Sequence, residues 1–439
     1  MSKWSVIKLK DLILFSIPGE WGDDPSGAGN AIVLRAADFT KDCKLRNSVG
    51  VIRNIPQIKL PNRLLKNGDI LIEKSGGSPE QPVGRIAFFD REETTQIYSF
   101  SNFLQLLRVS DSFDKEFVYY LMSYLYHSGR VYRYQQQTTG IINLKLEQYL
   151  DEEVKIPDRT DEQKKIRRIL KISDQAIEKT EALIHKYQQI KAGLMHDLFT
   201  RGLTADGQLR PPREQAPDLY QETPIGWIPK DWGTDQFGER ISVIDPNPSH
   251  RYPNEVEEGV PICSTENFLG ENQFHLNKNR LVPYHTFLEQ NIRCQFSPND
   301  VVFARKGKIG LARRYGIDKK AFSHTIVIMK PKEKNIDSSW LLWLARSDWL
   351  LKAIEKSMNT NSGVPTLGVA FINKVKVPFP KPDEQNLMAN MLDAISMNIE
   401  IESDQLEKYK KQKSGLMHDL LTGRVRVKVH ESNNQEAAA

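Results

Sequence analysis

The sequence predicts an α+β protein made by tandem duplication: a mixed α/β domain followed by a long helix, then the same pair again. Three observations carry this reading. The string GLMHDL stands at 193–198 and again at 415–420, a shift of 222 residues, and Asp161-Glu162-Gln163 returns with the same shift as Asp383-Glu384-Gln385. Each triplet opens a proline-free stretch with apolar residues every three or four positions, the pattern of an amphipathic helix. Upstream of each, short runs of β-branched and aromatic residues alternate with Gly, Pro, Asn and Ser clusters, the pattern of short strands and turns.

In chain order, residues 1–157 form a first domain, with strands expected at Asp69-Ile70-Leu71-Ile72, from Arg85 to Phe89 and from Phe103 to Val109, and a short helix over 115–126. Residues 158–200 form the first long helix, its seam made by Ile166, Ile169, Leu170, Ala176, Ile177, Leu183, Ile184, Tyr187, Ile190 and Leu194. Residues 201–225, rich in Pro, Gly, Gln and charge, read as a linker. The second domain spans 226–380, with a strand at 326–329 and a helix over 338–352. Its long helix, 381–421, places Met388, Met391, Leu392, Ile395, Ile399, Leu406, Tyr409 and Leu416 on the matching seam. The tail, 422–439, is strand-like at first and then polar. Residues 161–199 carry eight basic and six acidic side chains, and residues 383–421 four basic and eight acidic. Opposite net charges favour pairing one long helix with the other, antiparallel, as a coiled-coil spacer.

Composition bounds the function. With 39% apolar and 27% charged residues, the chain can bury real cores. Its net charge of +5 understates a basic excess, because the two long helices together are acidic and the domains hold the positive surplus. The three cysteines, Cys43, Cys263 and Cys294, are widely spaced with no CxxC pair, which argues against a disulfide scaffold or zinc ribbon and for a reducing, cytoplasmic setting. No stretch reads as a membrane span. No GxxxxGK[ST] is present, so a P-loop is excluded at the motif level. His196-Asp197 and His418-Asp419 lack further ligands at metal spacing and read instead as helix ends that contact a partner, together with Gly193 and Gly415. Pro157-Asp158 with Glu162-Gln163-Lys164 imitates a nuclease site, but the second copy has no lysine at that place. Asp245-Pro246-Asn247-Pro248 imitates a methyltransferase tetrad without its aromatic residue or cofactor loop. No catalytic constellation remains, and no metal or cofactor site is expected in this chain.

What remains suits duplex DNA. In the first domain the candidates are Arg35, Lys74, Ser75, Gly76, Arg85, Asn102, Gln136, Thr138 and Thr139. In the second they are Thr265, Arg305, Lys306, Lys308, Arg313, His324, Asn359 and Asn361. Arginine can bond guanine, and glutamine or asparagine adenine, through two hydrogen bonds each, while lysine and glycine-rich turns approach phosphates.

These residues sit among motifs that resemble a known family. Gly68-Asp69-Ile70-Leu71, Val83-Gly84-Arg85, Thr139-Gly140 leading to Asn143-Leu144, the entry from Pro157 to Gln163 into a long helix, the closing GLMHDL strings and the stretch from Pro224 to Trp232 are similar to the specificity subunits of type I restriction–modification systems. The resemblance covers nearly the whole chain. It implies two target recognition domains held apart by antiparallel helices, each reading one half of a bipartite, asymmetric DNA site. It further implies two partner modification subunits that methylate adenine with S-adenosylmethionine, and restriction motor subunits that use ATP and magnesium. Two other readings fit the same residues: a specificity partner of a fused restriction–methylation enzyme, and a coiled-coil protein scaffold that does not bind DNA.

Overall fold

The computed structural model describes residues 3–25, 27, 29–47, 49–78, 81–91, 96–138, 140–276, 280–355 and 366–428. Two compact units divide the chain. The first comprises residues 1–181 and 404–439, and the second residues 182–403. Each unit therefore holds one domain, the first half of that domain's own long helix, and the last half of the other. The long helices run Thr160–Thr200 and Pro382–Leu421.

In the first unit a four-stranded antiparallel sheet has the order Ile13–Pro18, Leu104–Val109, Asp69–Glu73, Ile86–Phe89. The helix Lys115–His127 buries Phe117, Val118, Leu121, Met122 and Leu125 in the core that this sheet shares with Ile166 and Leu170. A second sheet orders Val51–Arg53, Ala31–Leu34 and Tyr98–Phe100, one pair antiparallel and the other parallel. The second unit repeats this topology. Its larger sheet runs Ile241–Ile244, Ile326–Pro331, Val301–Ala304, Ala312–Arg314, and its smaller sheet Leu281–Val282, Val260–Cys263, Ala321–Phe322, again with one antiparallel and one parallel pair. The duplication read from two short strings thus extends to every strand of both sheets.

The repeated Asp-Glu-Gln is a structural lock. Glu162 accepts the indole N–H of Trp4 at 3.0 Å, and Glu384 that of Trp232 at 3.0 Å. Gln163 accepts the backbone N–H of Asp114 at 2.9 Å and donates to the Pro157 carbonyl at 3.0 Å; Gln385 does the same with Asp337 and Pro380 at 3.0 and 2.9 Å. Asp114 and Asp337 are themselves the N-caps of the helices beginning at Lys115 and Ser338. The tryptophans also face the ends of the long helices. Gly202 (φ +62°) closes the first helix against the ring of Trp232, and Gly423 (φ +71°) comes after the second against that of Trp4. A Cβ at Gly202 would lie 2.4 Å from the indole and one at Gly423 2.9 Å, so both the left-handed backbone and the close approach call for glycine.

Within each unit the helix segments lie antiparallel. In the first, Asp174 meets Lys413 and Glu181 meets Lys410, numbers rising on one segment as they fall on the other. In the second, Leu194, Met195, Leu198 and Phe199 pack in one core with Met388, Ala389 and Leu392, so a GLMHDL string completes the core. The other string completes the first unit's core through Leu416, Met417 and Leu420. Not all of the expected seam is buried: Ile190 and Met391 are exposed at 45% and 37%. At 3.6 residues per turn Ile190 lies about a third of a turn around from Ile166, so a straight helix carries it off the contact.

Three further expectations change. The stretch 201–225 is folded rather than a free linker. Leu203 bridges Leu209, Tyr220–Thr223 pairs with Gly226–Pro229, and buried Arg210 binds Glu384 and Asp231. The helix over 338–352 is two helices, Ser338–Arg346 and Asp348–Glu355, because Ser347 is extended (ψ 144°) and its hydroxyl accepts the Leu350 N–H. Residues 424–428 form no strand; instead Arg426 lies over the Trp4 ring at 4.3 Å and Val427 packs on the core. No described helix is long and apolar enough to cross a membrane.

Candidate nucleic-acid interface

In the first unit, several residues singled out from sequence converge on one small sheet. Strand Ser75–Gly77 pairs with Ile141–Leu144, which pairs with Gln135–Thr138. Lys74 sits at its root, its N–H bonded to the Phe103 carbonyl (2.9 Å) and its carbonyl to the Leu144 N–H (2.8 Å). Its side chain is half-buried and has no carboxylate partner among the described residues, and the loss of water lowers its pKa. A part-dehydrated cation without a counter-ion is suited to a phosphate. The Ser75 hydroxyl donates to the Asn143 amide oxygen, and Gln136 stands opposite Asn143 in the ladder. Gly76 (φ +102°), Gln136 and Gln137 are exposed. Exposed Asn102 and Phe103 form the adjoining turn, with the Phe103 ring 3.8 Å from where a Gly76 Cβ would stand. Thr138 contributes strand backbone, and Thr139 lies outside the described residues. Arg35 comes directly after Leu34, whose carbonyl accepts the Ser101 N–H, so it borders this turn; its guanidinium is held by Asp38 at 3.2 Å yet stays 41% exposed.

Arg85 does not belong to this surface. It is 4% exposed and all its directions are taken: two bonds to Glu73 (2.9 and 3.0 Å) and one each to the carbonyls of Phe39 and Ala36 (3.2 and 3.1 Å). Named from sequence among the DNA-contacting candidates, it is instead a core ion pair that pins the segment 36–39 to the sheet.

The second unit places its counterparts similarly. The Arg305 carbonyl accepts the Leu367 N–H at 2.8 Å, as Lys74 accepts from Leu144, and Lys306 bridges Thr366. Lys306 is half-buried and Lys308 exposed, and neither has an ion pair among the described residues. His324 stacks on His250 (5.4 Å) and meets Tyr252 edge-on (5.6 Å). Burial, then Lys306, His250 and Arg305, hold its imidazole below the usual pKa and so favour the neutral ring. Two arginines correct the sequence reading. Arg305 is buried against Asp245 (2.6 Å), the His324 carbonyl and His250, and Arg313 is buried on the carbonyls of Ala312 and Gly270 with Phe268 beneath it. Neither has a free edge for a base. Thr265 is buried too, under the Gly307 turn, its hydroxyl 3.6 Å from where a Gly307 Cβ would stand. Asn359 and Asn361 lie outside the described residues.

Sequence reasoning does not single out Phe103, Asn143, His250 or Tyr252 as site residues. The signals that could have found them are modest: Asn143 stands among the resemblance motifs, and His250 and Tyr252 come just after the Asp245-Pro246-Asn247-Pro248 string.

Each helix end presents a further exposed patch within its own unit. Gly193 and Gly415 are exposed with open space where a Cβ would stand, and His196 and His418 are exposed beside them. His418 Nδ1 lies 2.9 Å from the Tyr124 hydroxyl. Asp197 pairs with Arg201 and Asp419 with Arg424, so the aspartates are held by their own helix ends. Among the described residues no three His, Cys, Asp or Glu side chains gather as metal ligands would. Glu162, part of the nuclease-like string, is committed to Trp4.

Known proteins match this arrangement. A family model described as the type I restriction modification DNA specificity domain matches residues 1–189 and 252–411. The type I restriction enzyme MjaVIII specificity subunit of Methanocaldococcus jannaschii is 27% identical over 301 residues, covering 67% of each chain. The putative MjaX specificity subunit of the same organism is 23% identical over 435 residues, covering 97% of this chain and 94% of its own. Among solved structures, the type I restriction–modification S subunit from M. genitalium superposes with a TM-score of 0.57 at 14% identity, covering 96% of both chains. A chain from a structure of complex assembly and conformational transition in a type I system gives 0.51 at 14% identity, covering 96% and 98%. With the family model spanning both repeats and the repeated topology behind it, the chain belongs to the type I restriction–modification DNA specificity subunits.

Proposed function

We propose that this subunit reads an asymmetric bipartite duplex site with its two domains and carries two adenine-modifying subunits, without catalysis of its own. The observation that supports it best is the pair of patches built at equivalent places of the two units, Lys74 with Ser75, Gln136 and Asn143 in one, and Lys306 with Lys308 and His324 in the other. Equivalent placement suits one task done twice, and different side chains suit two different half-sites, since identical readers would favour a palindrome. The partner modification subunits supply S-adenosylmethionine, and restriction subunits ATP and magnesium. The exposed glycine and histidine at each helix end are the proposed contacts for these partners.

The test is methyl transfer. The purified chain alone should transfer no labelled methyl group to DNA; with a modification subunit it should direct adenine methylation at one bipartite sequence, at a saturating ratio of two modification subunits per chain. Methylation spread over unrelated sequences, or DNA affinity indifferent to salt, would favour a protein-only scaffold, because neutralising phosphates releases counterions.

A further inference from the structure

The two units repeat one backbone plan, yet the polar contacts that join each domain to its helices have opposite polarity. At Lys171 of the first long helix, the helix supplies the cation and the domain the anion, Glu116, at 3.0 Å. The equivalent residue in the second repeat is Asp393, 222 positions on. There the helix supplies the anion, held by Arg314 at 3.0 Å and by the Trp343 indole at 2.8 Å. About one turn further along, Asp174 is bound by Lys413 (2.7 Å), by Lys44 from the domain (3.1 Å) and by the Tyr120 hydroxyl (2.7 Å). Its equivalent is Ser396, which carries no charge. The carboxylate at that place comes instead from the domain: Glu271 binds Lys191, the equivalent of Lys413, along with the Ser396 hydroxyl (2.7 Å) and Arg346 (3.4 Å). Burial alone would raise the pKa of both carboxyls, yet the surrounding cations and hydroxyls hold both below their usual values.

We propose that this inversion is an address, assigning each recognition domain to its own pair of helix segments. An exchange of domains would bring Arg314 against Lys171 and Glu271 against Asp174. The reverse placement would bring Glu116 against Asp393 and leave Lys44 beside Lys191 without the carboxylate that Asp174 holds between Lys44 and Lys413. Each misplacement sets like charges together twice, about a turn apart. Several of these groups are well sheltered, with side-chain exposures of 10% at Asp174, 15% at Glu116 and 20% at Lys191, so salt screens the repulsion less than at an open surface. Specificity of this kind is achieved by penalising the wrong partner as much as by favouring the right one. Resting on the proposal that each domain reads one half-site, the address also fixes which half-site belongs to which repeat.

The experiment uses the full chain. Lys44→Glu alone and Ser396→Asp alone should each lower the unfolding midpoint by about 2–4 °C. Restoring the opposite polarity, as Lys44→Glu with Asp174→Ser and as Ser396→Asp with Glu271→Lys, should recover a large part of that loss, less of it for Lys44→Glu because Glu178, which Lys44 binds at 2.7 Å, stays in place. A chain with residues 1–157 and 226–380 exchanged reads the same duplex site from its other strand, as readers related by a two-fold must; with a modification subunit it should methylate that parental site at least 10-fold more slowly than the parent does. Adding Lys171→Asp, Asp174→Ser, Asp393→Lys and Ser396→Asp should bring the rate back. Double variants no more stable than the singles, or an exchanged chain that works equally well without the helix changes, would overturn the address. The unfolding midpoints involve no DNA, so coupling there with no methylation by any chain would sink the proposed function alone.

Discussion

Lys74 and Arg85 show what a cation's surroundings decide. Lys74 is half-dehydrated and unpaired among the described residues, so folding gains little from its charge. Lys74→Met should leave the unfolding midpoint unchanged or slightly raised, while weakening duplex binding for every first half-site sequence. The slope of log affinity against log salt should fall by about 0.9, because one phosphate fewer is neutralised. A changed base preference with an unchanged salt slope would show instead that Lys74 touches a base edge. Arg85 behaves oppositely. Arg85→Ala leaves Glu73 buried without a partner and should cost about 3–5 kcal/mol of stability in chemical unfolding. Replacing both residues by apolar side chains should recover much of that loss. Any protein that still folds should keep its base preferences at every position. From sequence the two cations look alike, each basic and close to a glycine-rich turn. What separates them is Glu73, twelve residues before Arg85 in the chain and opposite it only once the strands pair. The same blindness applies to Arg305 and Arg313, whose partners Asp245 and Gly270 lie 60 and 43 residues away. Basic residues report the capacity to bind DNA; burial, which no local pattern reports, decides which of them keep it.

Among the elements, the strands and helices are legible because each carries its own periodicity and each occurs twice. The stretch 201–225 is not, because its Pro and Gly content marks turns equally well in a loop and in a folded strap. Its anchor is Glu384, 174 residues from Arg210. The Asp-Glu-Gln triplet is visible as a repeat but silent about its role, since its partners are a tryptophan at the other end of the domain and the cap of an intervening helix. That role can be tested in both copies. Gln163→Ala strips a partner from the Asp114 N–H and from the Pro157 carbonyl, and Gln385→Ala does the same to Asp337 and Pro380. Each buried group left unpaired costs about 1–3 kcal/mol, so each variant should lose roughly 2–6 kcal/mol at most, less where water enters. Hydrogen exchange at the Asp114 and Asp337 amides should quicken, each only in the variant of its own repeat. If both amides quicken in either variant, or neither does, the glutamines are not the local staple that the geometry describes.

For the whole molecule, the long helices raise the question of what sets the distance between half-sites. The two unit boundaries, between Glu181 and Ala182 and between Ser403 and Asp404, fall 222 residues apart at equivalent places, and each long helix passes its boundary without a break. An insertion there leaves the contacts of Asp174 and of Glu271, and both Trp-Glu locks, inside untouched sequence. Four residues inserted at both boundaries add about 6 Å to each helix and rotate the downstream helix segment by about 40° beyond a full turn. Two further base pairs advance the duplex by about 6.8 Å, and turn it by roughly 70° at 10–10.5 pairs per turn. Translation nearly agrees, and a rotational difference of about 30° is within what a deformable spacer can absorb at some cost in affinity. Seven residues would match the heptad but add about 10 Å with a rotational mismatch of more than 100° against three base pairs, a far worse fit. The four-residue variant, with its modification subunits, should therefore keep both half-sites and methylate best where they stand about two base pairs further apart. Because the half-sites are unchanged, methylation across a library of spacer lengths isolates this one variable. A variant that folds, binds its partners and still methylates only the parental spacing would show that the distance is set by the domains' contacts with DNA and not by the helices.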